Sequence, residues 1–315
     1  MRALAARSDI VLENFKAGTL ERMGLGYEAL RQVNPRLIYC SVTGFGQTGP
    51  YAARPGYDGL IQAMGGVMSL TGVPDGEPMK VAVPICDLMA GMYATVGILA
   101  AVRHQAETGE GQFIDIGMLD THIGWLANQG MNYLATGENP DRIGNMHPNI
   151  LPYQVMPTSD GYIALSVGND PTFERFCKLA ECEHLLEDER FQTNAARVSN
   201  RDHVTSVLNE ITNKKPSAWW LEELEKEKIG CGPINNLDQV FDDPHVKARE
   251  MVVEMEHPAM GTKPMKLIAN PIKLSKTPPT YRKAPPMLGQ HTEDILKEAG
   301  LSENEIAKLK DDGTV

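Results

Sequence analysis

The residue in this sequence whose type and setting most suggest chemistry is Asp87. It follows the apolar stretch Val81–Pro84 and precedes a run rich in small residues: Ala90, Gly91, Ala94, Gly97, Ala100 and Ala101. It therefore stands where an extended segment passes into a helix. A carboxylate there can accept from the first free N–H groups and contribute about 1 kcal/mol as an N-cap. The same geometry keeps a carboxylate ionised and fixed in direction, so that it can attack an electrophile. The residues alone leave both readings open. The five cysteines, Cys40, Cys86, Cys177, Cys182 and Cys231, are odd in number and contain no CxxC pair. That pattern suggests neither a disulfide framework nor a zinc site, and no metal is expected.

The elements that must position Asp87 read as a parallel α/β layer. Ile10-Val11-Leu12 is a short apolar strand, and Leu20 to Val33 an amphipathic helix ended by Asn34-Pro35. Leu37 to Val42 is a near-continuous apolar strand of the kind buried on both sheet faces. A glycine-rich loop, Thr43 to Pro50, follows. Strand, helix, strand and glycine loop is the order expected of parallel α/β folds. Tyr57 to Gly66 reads as a short helix, and Met68 to Val73 and Val81 to Pro84 as short extended pieces. A long helix runs from Leu88, and its small residues predict close approach by another backbone and a central, buried position. Phe113 to Ile116 is a strand, with a helix from Leu119.

Composition shifts at Gly137 to Pro152, which reads as a linker. Beyond it are a strand at Gly161–Val167 and helices at Pro171–Glu181, Arg201–Thr212 and Ser217–Glu227. Val252–Glu256 and Met265–Ile268 alternate like antiparallel strands, and Lys276–Pro286 is proline-rich and extended. Helices at Thr292–Ala299 and Glu303–Asp311 close the chain, with Thr292 as the cap of the first. The acidic stretch Leu221 to Glu227 is an exposed helix face.

The 315 residues suffice for one large or two ordinary domains. A net charge of −11 argues against non-specific nucleic-acid binding, which needs a basic footprint. It leaves room for an anionic ligand held by a few local cations and backbone N–H groups. The apolar stretch Leu88–Val102 is short for a bilayer span, and Asp9 and Glu13 interrupt any signal-peptide core. With the cysteine pattern, this predicts a cytoplasmic protein without membrane or nucleic-acid partners.

Several blocks, in order along the chain, resemble the class III coenzyme A transferases (CaiB/BaiF-like), the family of formyl-CoA:oxalate and carnitine CoA-transferases. They are Asp9 to Gly18 (DIVLENFKAG), Leu20 to Gly24 (LERMG), Asn34 to Ile38 (NPRLI), Arg54 to Asp58 (RPGYD), Cys86 to Gly91 (CDLMAG), Thr108 to Gln112 (TGEGQ) and Leu288 to Thr292 (LGQHT). The resemblance implies a Rossmann-like large domain from residues 1–145 and a smaller α+β domain over 150–265. Helices in 286–315 would rejoin the large domain, and two chains would interlock as a homodimer. It implies transfer of CoA from an acyl-CoA donor to a small carboxylate acceptor, with CoA as substrate and no permanently bound cofactor. In this family the aspartate at the Asp87 position becomes a mixed anhydride and then an aspartyl-CoA thioester.

Carried over motif by motif, Asn14, Phe15, Lys16, Arg22 and Met23 would receive the nucleotide, and Pro55, Gly56, Tyr57 and Asp58 would line the pantetheine and thioester end. By itself Arg22 could equally be a solvated helix residue, and Tyr57 a core aromatic with a hydrogen-bonded tip. His147 could hold an acceptor carboxylate or be a solvated linker residue.

Two departures from the family pattern stand out. The family begins with a further strand and helix before the first matching block. Asn145 to Tyr153 also replaces a glycine-rich active-site loop, which implies an acceptor pocket unlike one built for oxalate. Two rival readings are an α-methylacyl-CoA racemase and a shortened, non-catalytic acyl-CoA-binding paralogue. The racemase needs a histidine where this chain has Tyr57, and tyrosine is a poor proton shuttle at neutral pH.

Overall fold

The structure, a computed structural model, describes every residue from Met1 to Val315. The chain divides into two compact units, Met1–Gln154 and Val155–Val315.

The first unit begins with α1 (Arg2–Ala5), β1 (Ile10–Glu13), α2 (Thr19–Arg22), α3 (Tyr27–Arg31) and β2 (Ile38–Thr43). It continues with α4 (Asp58–Met64), α5 (Val67–Leu70), α6 (Ile85–Thr108), β3 (Phe113–Gly117), α7 (Met118–Gly124) and α8 (Ala127–Thr136). The three strands form a parallel sheet in the order β1-β2-β3, with Leu12 opposite Cys40 and Cys40 opposite Ile114. The central strand is β2. Leu37, Ile38, Tyr39 and Cys40 are all buried, as an unbroken apolar run in a parallel sheet requires. Tyr27, Tyr39 and Phe113 pack edge-on and tilted beside it.

Helix α6 carries the unit. At 24 residues it is about 36 Å long. Ala90, Ala94 and Ala101 are buried, and a Cβ added to Gly97 would stand 3.3 Å from Ile114 Cγ2, so one flank lies close on the sheet. The other flank is open: Val96 is 60% and Leu99 63% exposed. The expectation of a central, buried helix holds for one flank only, because the small residues bring a single face to the strands. The helix also runs past both ends of the Leu88–Val102 stretch. By length and composition it could cross a membrane, so length does not exclude a span; its alanine flank lies against β2 and β3.

The second unit holds a three-stranded sheet, β4 (Tyr153–Thr158), β5 (Gly161–Ser166) and β6 (Gly230–Pro233), in which β5 and β6 are antiparallel. Helices α9 (Asp170–Leu179), α10 (Glu189–Gln192), α11 (Asn194–Ser199), α12 (Arg201–Thr212) and α13 (Ser217–Lys226) accompany it. Their core is aromatic. Phe173, Phe176, Phe191 and Trp220 stack in series, and the buried Arg197 lies over Phe173 while pairing with Asp170 at 2.8 Å. Then come α14 (Leu237–Asp242), α15 (Pro244–Ala248) and the antiparallel pair β7 (Val252–Met255) and β8 (Met265–Ile268). The chain ends with α16 (Thr292–Glu298) and α17 (Glu303–Asp311).

Four local expectations are revised. The helix read over Leu20–Val33 is broken into α2 and α3, because Gly24 adopts φ +67° and Leu25 N–H turns back to Leu20 O. Met68–Val73 is not extended: its first half is the helical turn α5. Val81–Pro84 forms no strand. Thr292 is the first residue of α16, not its cap; His291 takes the cap position without a side-chain bond.

Candidate active site

Asp87 lies in the first turn of α6, three residues after the cap position, which is Pro84. Its side chain makes no capping hydrogen bond, so the cap reading fails on geometry. The helix start is capped instead by another element: Asp58 Oδ1, from the beginning of α4, accepts from Cys86 N–H at 2.8 Å. Burial first, and the nearby Asp58 charge second, raise Asp87 above the ordinary carboxylate range. A partly desolvated carboxylate at the surface, of raised basicity and bearing no hydrogen-bonded cap duty, is free to act as a nucleophile.

A cleft of ≈720 Å³ opens at this point of the first unit. Four segments wall it, one of them Val42, Thr43 and Gly44 at the end of β2. From the end of β1 come Glu13, Asn14, Phe15 and Lys16; from the segment ahead of α4 come Arg54, Pro55, Gly56, Tyr57 and Asp58; from α6 come Asp87, Ala90, Gly91 and Ala94. Asn14 Nδ2 donates to Val42 O at 2.7 Å, and Phe15 N–H donates to Glu13 Oε2 at 2.7 Å, so the β1 loop is tied to β2 and to itself. Arg54 stacks on the Tyr51 ring, 3.8 Å from its centroid. Tyr57 is 73% exposed, which removes the core-aromatic reading.

Glycine sets the closeness of the walls. A Cβ on Gly44 would lie 2.5 Å from Gly56 Cα, about 1 Å inside normal carbon contact. The loop after β2 and the Arg54–Asp58 segment therefore meet backbone to backbone. Gly91 is the opposite case: a Cβ there would meet nothing within 4 Å, because it faces the open cleft.

Of the residues singled out from the sequence, Asn14, Phe15, Lys16, Pro55, Gly56, Tyr57, Asp58 and Asp87 line this one cleft. Arg22 and Met23 do not line it. Both are exposed at the end of α2, where Arg22 Nη2 donates to Thr19 Oγ1 at 3.1 Å. His147 stacks on Tyr153 and its Nδ1 accepts from Asn149 N–H.

One neighbour of Asp87 carried no signal in the sequence reading. His122, on α7, is 1% exposed, and its Nδ1 lies 3.3 Å from Cys86 Sγ while its Nε2 has no partner. Burial pushes His122 below its usual range, with Asp58 opposing. Burial and then the two aspartates push the Cys86 thiol up to about 12, so it stays protonated and is no competing nucleophile. No group of three or more His, Cys, Asp or Glu side chains is placed to hold a metal ion.

A model of CoA-transferase family III matches residues 1–292. Among named proteins, the succinate–glutarate CoA-transferase of Agrobacterium fabrum is 45% identical over 298 residues, covering 95% of this chain and 74% of that protein. The succinyl-CoA:glutarate CoA-transferase of Homo sapiens is 38% identical, covering 95% of this chain and 68% of that one. Among solved structures, a CaiB/BaiF family protein from Brucella suis is 46% identical with a TM-score of 0.81, over 95% of this chain and 77% of that one.

Proposed function

We propose, from the premise that the chain belongs to CoA-transferase family III, that Asp87 carries the acyl group and the cleft beside it receives acyl-CoA. The chain is a transferase of CoA between carboxylic acids. The observation that carries the site assignment is the meeting of four sequence-distant segments in one cleft at Asp87.

The steps follow from the groups present. An Asp87 carboxylate oxygen attacks the thioester carbonyl, the C–S bond breaks, and CoA leaves as thiolate. The product is a mixed anhydride. The thiolate then attacks the Asp87 carbonyl carbon of that anhydride and expels the donor carboxylate, leaving an aspartyl-CoA thioester. An acceptor carboxylate attacks this thioester and releases CoA thiolate again. The thiolate finally attacks the acyl carbon of the second anhydride, giving the new acyl-CoA and free Asp87. Backbone amides at the close-packed Gly44–Gly56 junction suit stabilisation of the oxyanions, and narrow walls suit exclusion of water from the anhydrides. Asn14, Phe15 and Lys16 take the nucleotide at the cleft, with Arg22 and Met23 reaching it from outside the lining, and Pro55–Asp58 take the pantetheine end. Lys16 and Arg54 are the cations of the cleft and suit anionic acids; among these, the small dicarboxylates succinate and glutarate, named in the relatives, come first.

The first unit is read as Rossmann-like, and the enzyme as acting in the cytoplasm as an interlocked homodimer. Supporting the dimer is the open apolar flank of α6, which is large for a surface left in water. The racemase reading is disfavoured because Tyr57 occupies the place of its histidine, and the buried His122 faces Cys86 rather than the open cleft.

The test is Asp87→Asn. A cap would tolerate it, whereas a carrier becomes a neutral amide and transfer falls by several orders of magnitude at nearly unchanged stability. Acyl-CoA followed by hydroxylamine should modify the peptide containing Asp87. Substantial transfer by a folded Asp87→Asn protein, with deamidation excluded by mass, overturns the assignment and with it the choice over a non-catalytic binder.

A further inference from the structure

Gln62 is wholly buried, and a buried primary amide is costly unless its donors and acceptor are met. It stands one turn after Asp58 on α4, so the two side chains share a face. Its Nε2 donates to Asp58 Oδ2 at 2.7 Å and to Val81 O at 3.4 Å, and its Oε1 accepts from Val81 N–H at 2.8 Å. Asp58 meanwhile accepts from Cys86 N–H through its other oxygen. One turn of α4 thus grips the chain at Val81 and again at Cys86, and the next residue is Asp87. Between the grips the chain has no strand or helix until Ile85, and Pro84 offers no side-chain cap.

We propose that Gln62 is a positioning residue for the transfer reaction. It fixes the Val81–Cys86 segment and the Asp58 carboxylate so that Asp87 meets the thioester in a single orientation. This rests on the reading of Asp87 as nucleophile. Gln62 does not itself line the cleft and acts through Asp58 and Val81. It also occupies one oxygen of the very carboxylate whose charge bears on Asp87. The other titratable or charged groups around Asp87 are Glu13 and Lys16 from the β1 end, Arg54 and Tyr57 ahead of α4, the Cys86 thiol, and, behind Cys86, His122 from α7.

Gln62→Glu separates positioning from simple stability. While protonated, the introduced carboxyl can still donate to Asp58 and accept from Val81 N–H. Once ionised it loses the donor and sets a second negative charge against Asp58. Relative to wild type at each pH, kcat should be near normal on the acid side and fall at least about tenfold as the new carboxyl ionises, with KM for acyl-CoA unchanged. Gln62→Leu, lacking donor and acceptor, should lose about 10- to 100-fold in kcat at every pH. A purely structural role would lower the melting temperature and leave the kcat of folded protein and its pH profile as in wild type; that result overturns the proposal. Should neither variant fold, amide exchange in the unaltered protein decides: Val81 and Cys86 N–H must exchange far more slowly than Ala82, and equal rates overturn the clamp. Hydroxylamine trapping on wild type keeps the two readings apart. No label on Asp87 defeats the nucleophile; a label on Asp87 with unchanged Gln62 variants defeats the clamp alone.

Discussion

Replacing Gly91 by alanine should make the protein more stable and less active. Gly91 lies within α6 and has no positive φ, so the helix accepts a Cβ there without strain. Glycine inside a helix costs about 0.5–1 kcal/mol relative to alanine. That gain corresponds to roughly 2–4 °C in melting temperature for each kcal/mol in a unit of this size. The added methyl meets no protein atom within 4 Å, because it projects into the cleft. Gly91 is one turn beyond Asp87, which puts the methyl about 5–6 Å from the Asp87 Cβ, on the path proposed for the thioester. Overpacking of this kind costs about 1–3 kcal/mol, or about 5- to 150-fold in kcat/KM for acyl-CoA. Thermal melts and CoA exchange followed by mass spectrometry measure the two effects on one sample. A higher melting temperature with unchanged kcat/KM would refute the placement of acyl-CoA over Gly91. A lower one would refute the open cleft itself.

Two further outcomes are expected. His122 is held neutral by burial, so below about pH 6.5 the unfolded chain takes up a proton that the folded chain refuses. Stability should therefore fall as pH drops from about 6.5 toward the depressed folded value, by up to about 1.4 kcal/mol per pH unit, and His122→Leu should remove that slope in denaturant titrations. Arg22→Ala should weaken CoA binding about 10- to 100-fold by calorimetry, the worth of one charge-assisted phosphate contact; unchanged affinity in a folded protein removes Arg22 from the site.

The parallel sheet was legible because β1, β2 and β3 are short apolar runs bounded by breakers, and burial on both faces leaves little else for them to be. β6 was not legible. Gly230-Cys231-Gly232-Pro233 has no strand propensity and exists as a strand through its pairing with Ile163–Ser166 of β5. The start of α6 was misplaced by a few residues, since the cap is supplied by Asp58 from α4 rather than by a neighbour in sequence. Eight of the residues singled out by motif share the cleft, whereas Gln62 and His122 went unnoticed. Val81, which Gln62 grips, lies 19 positions away, and Cys86, which His122 meets, lies 36 away, and neither side chain belongs to a reactive pattern that spacing could expose. Arg22 and Met23 came from the next motif block after the one that holds Asn14, and the left-handed Gly18 separates the two.

Helix α6 is clamped at both ends by a buried glutamine. Gln62 holds the chain just ahead of it, and near its other end Gln105 donates to Arg36 O, close to where Gly111 N–H returns to Pro35 O. Between these fixed points its length becomes a phase. One residue inserted within α6 would turn everything before it by about 100° and shift it about 1.5 Å along the axis. Asp87 would then swing out of the cleft although every residue that lines it were still present. Loops such as Gly72–Lys80 can lengthen or shorten without that penalty, whereas the stretch from Asp87 to Gln105 is a fixed-length rod whose residue count is part of the candidate site.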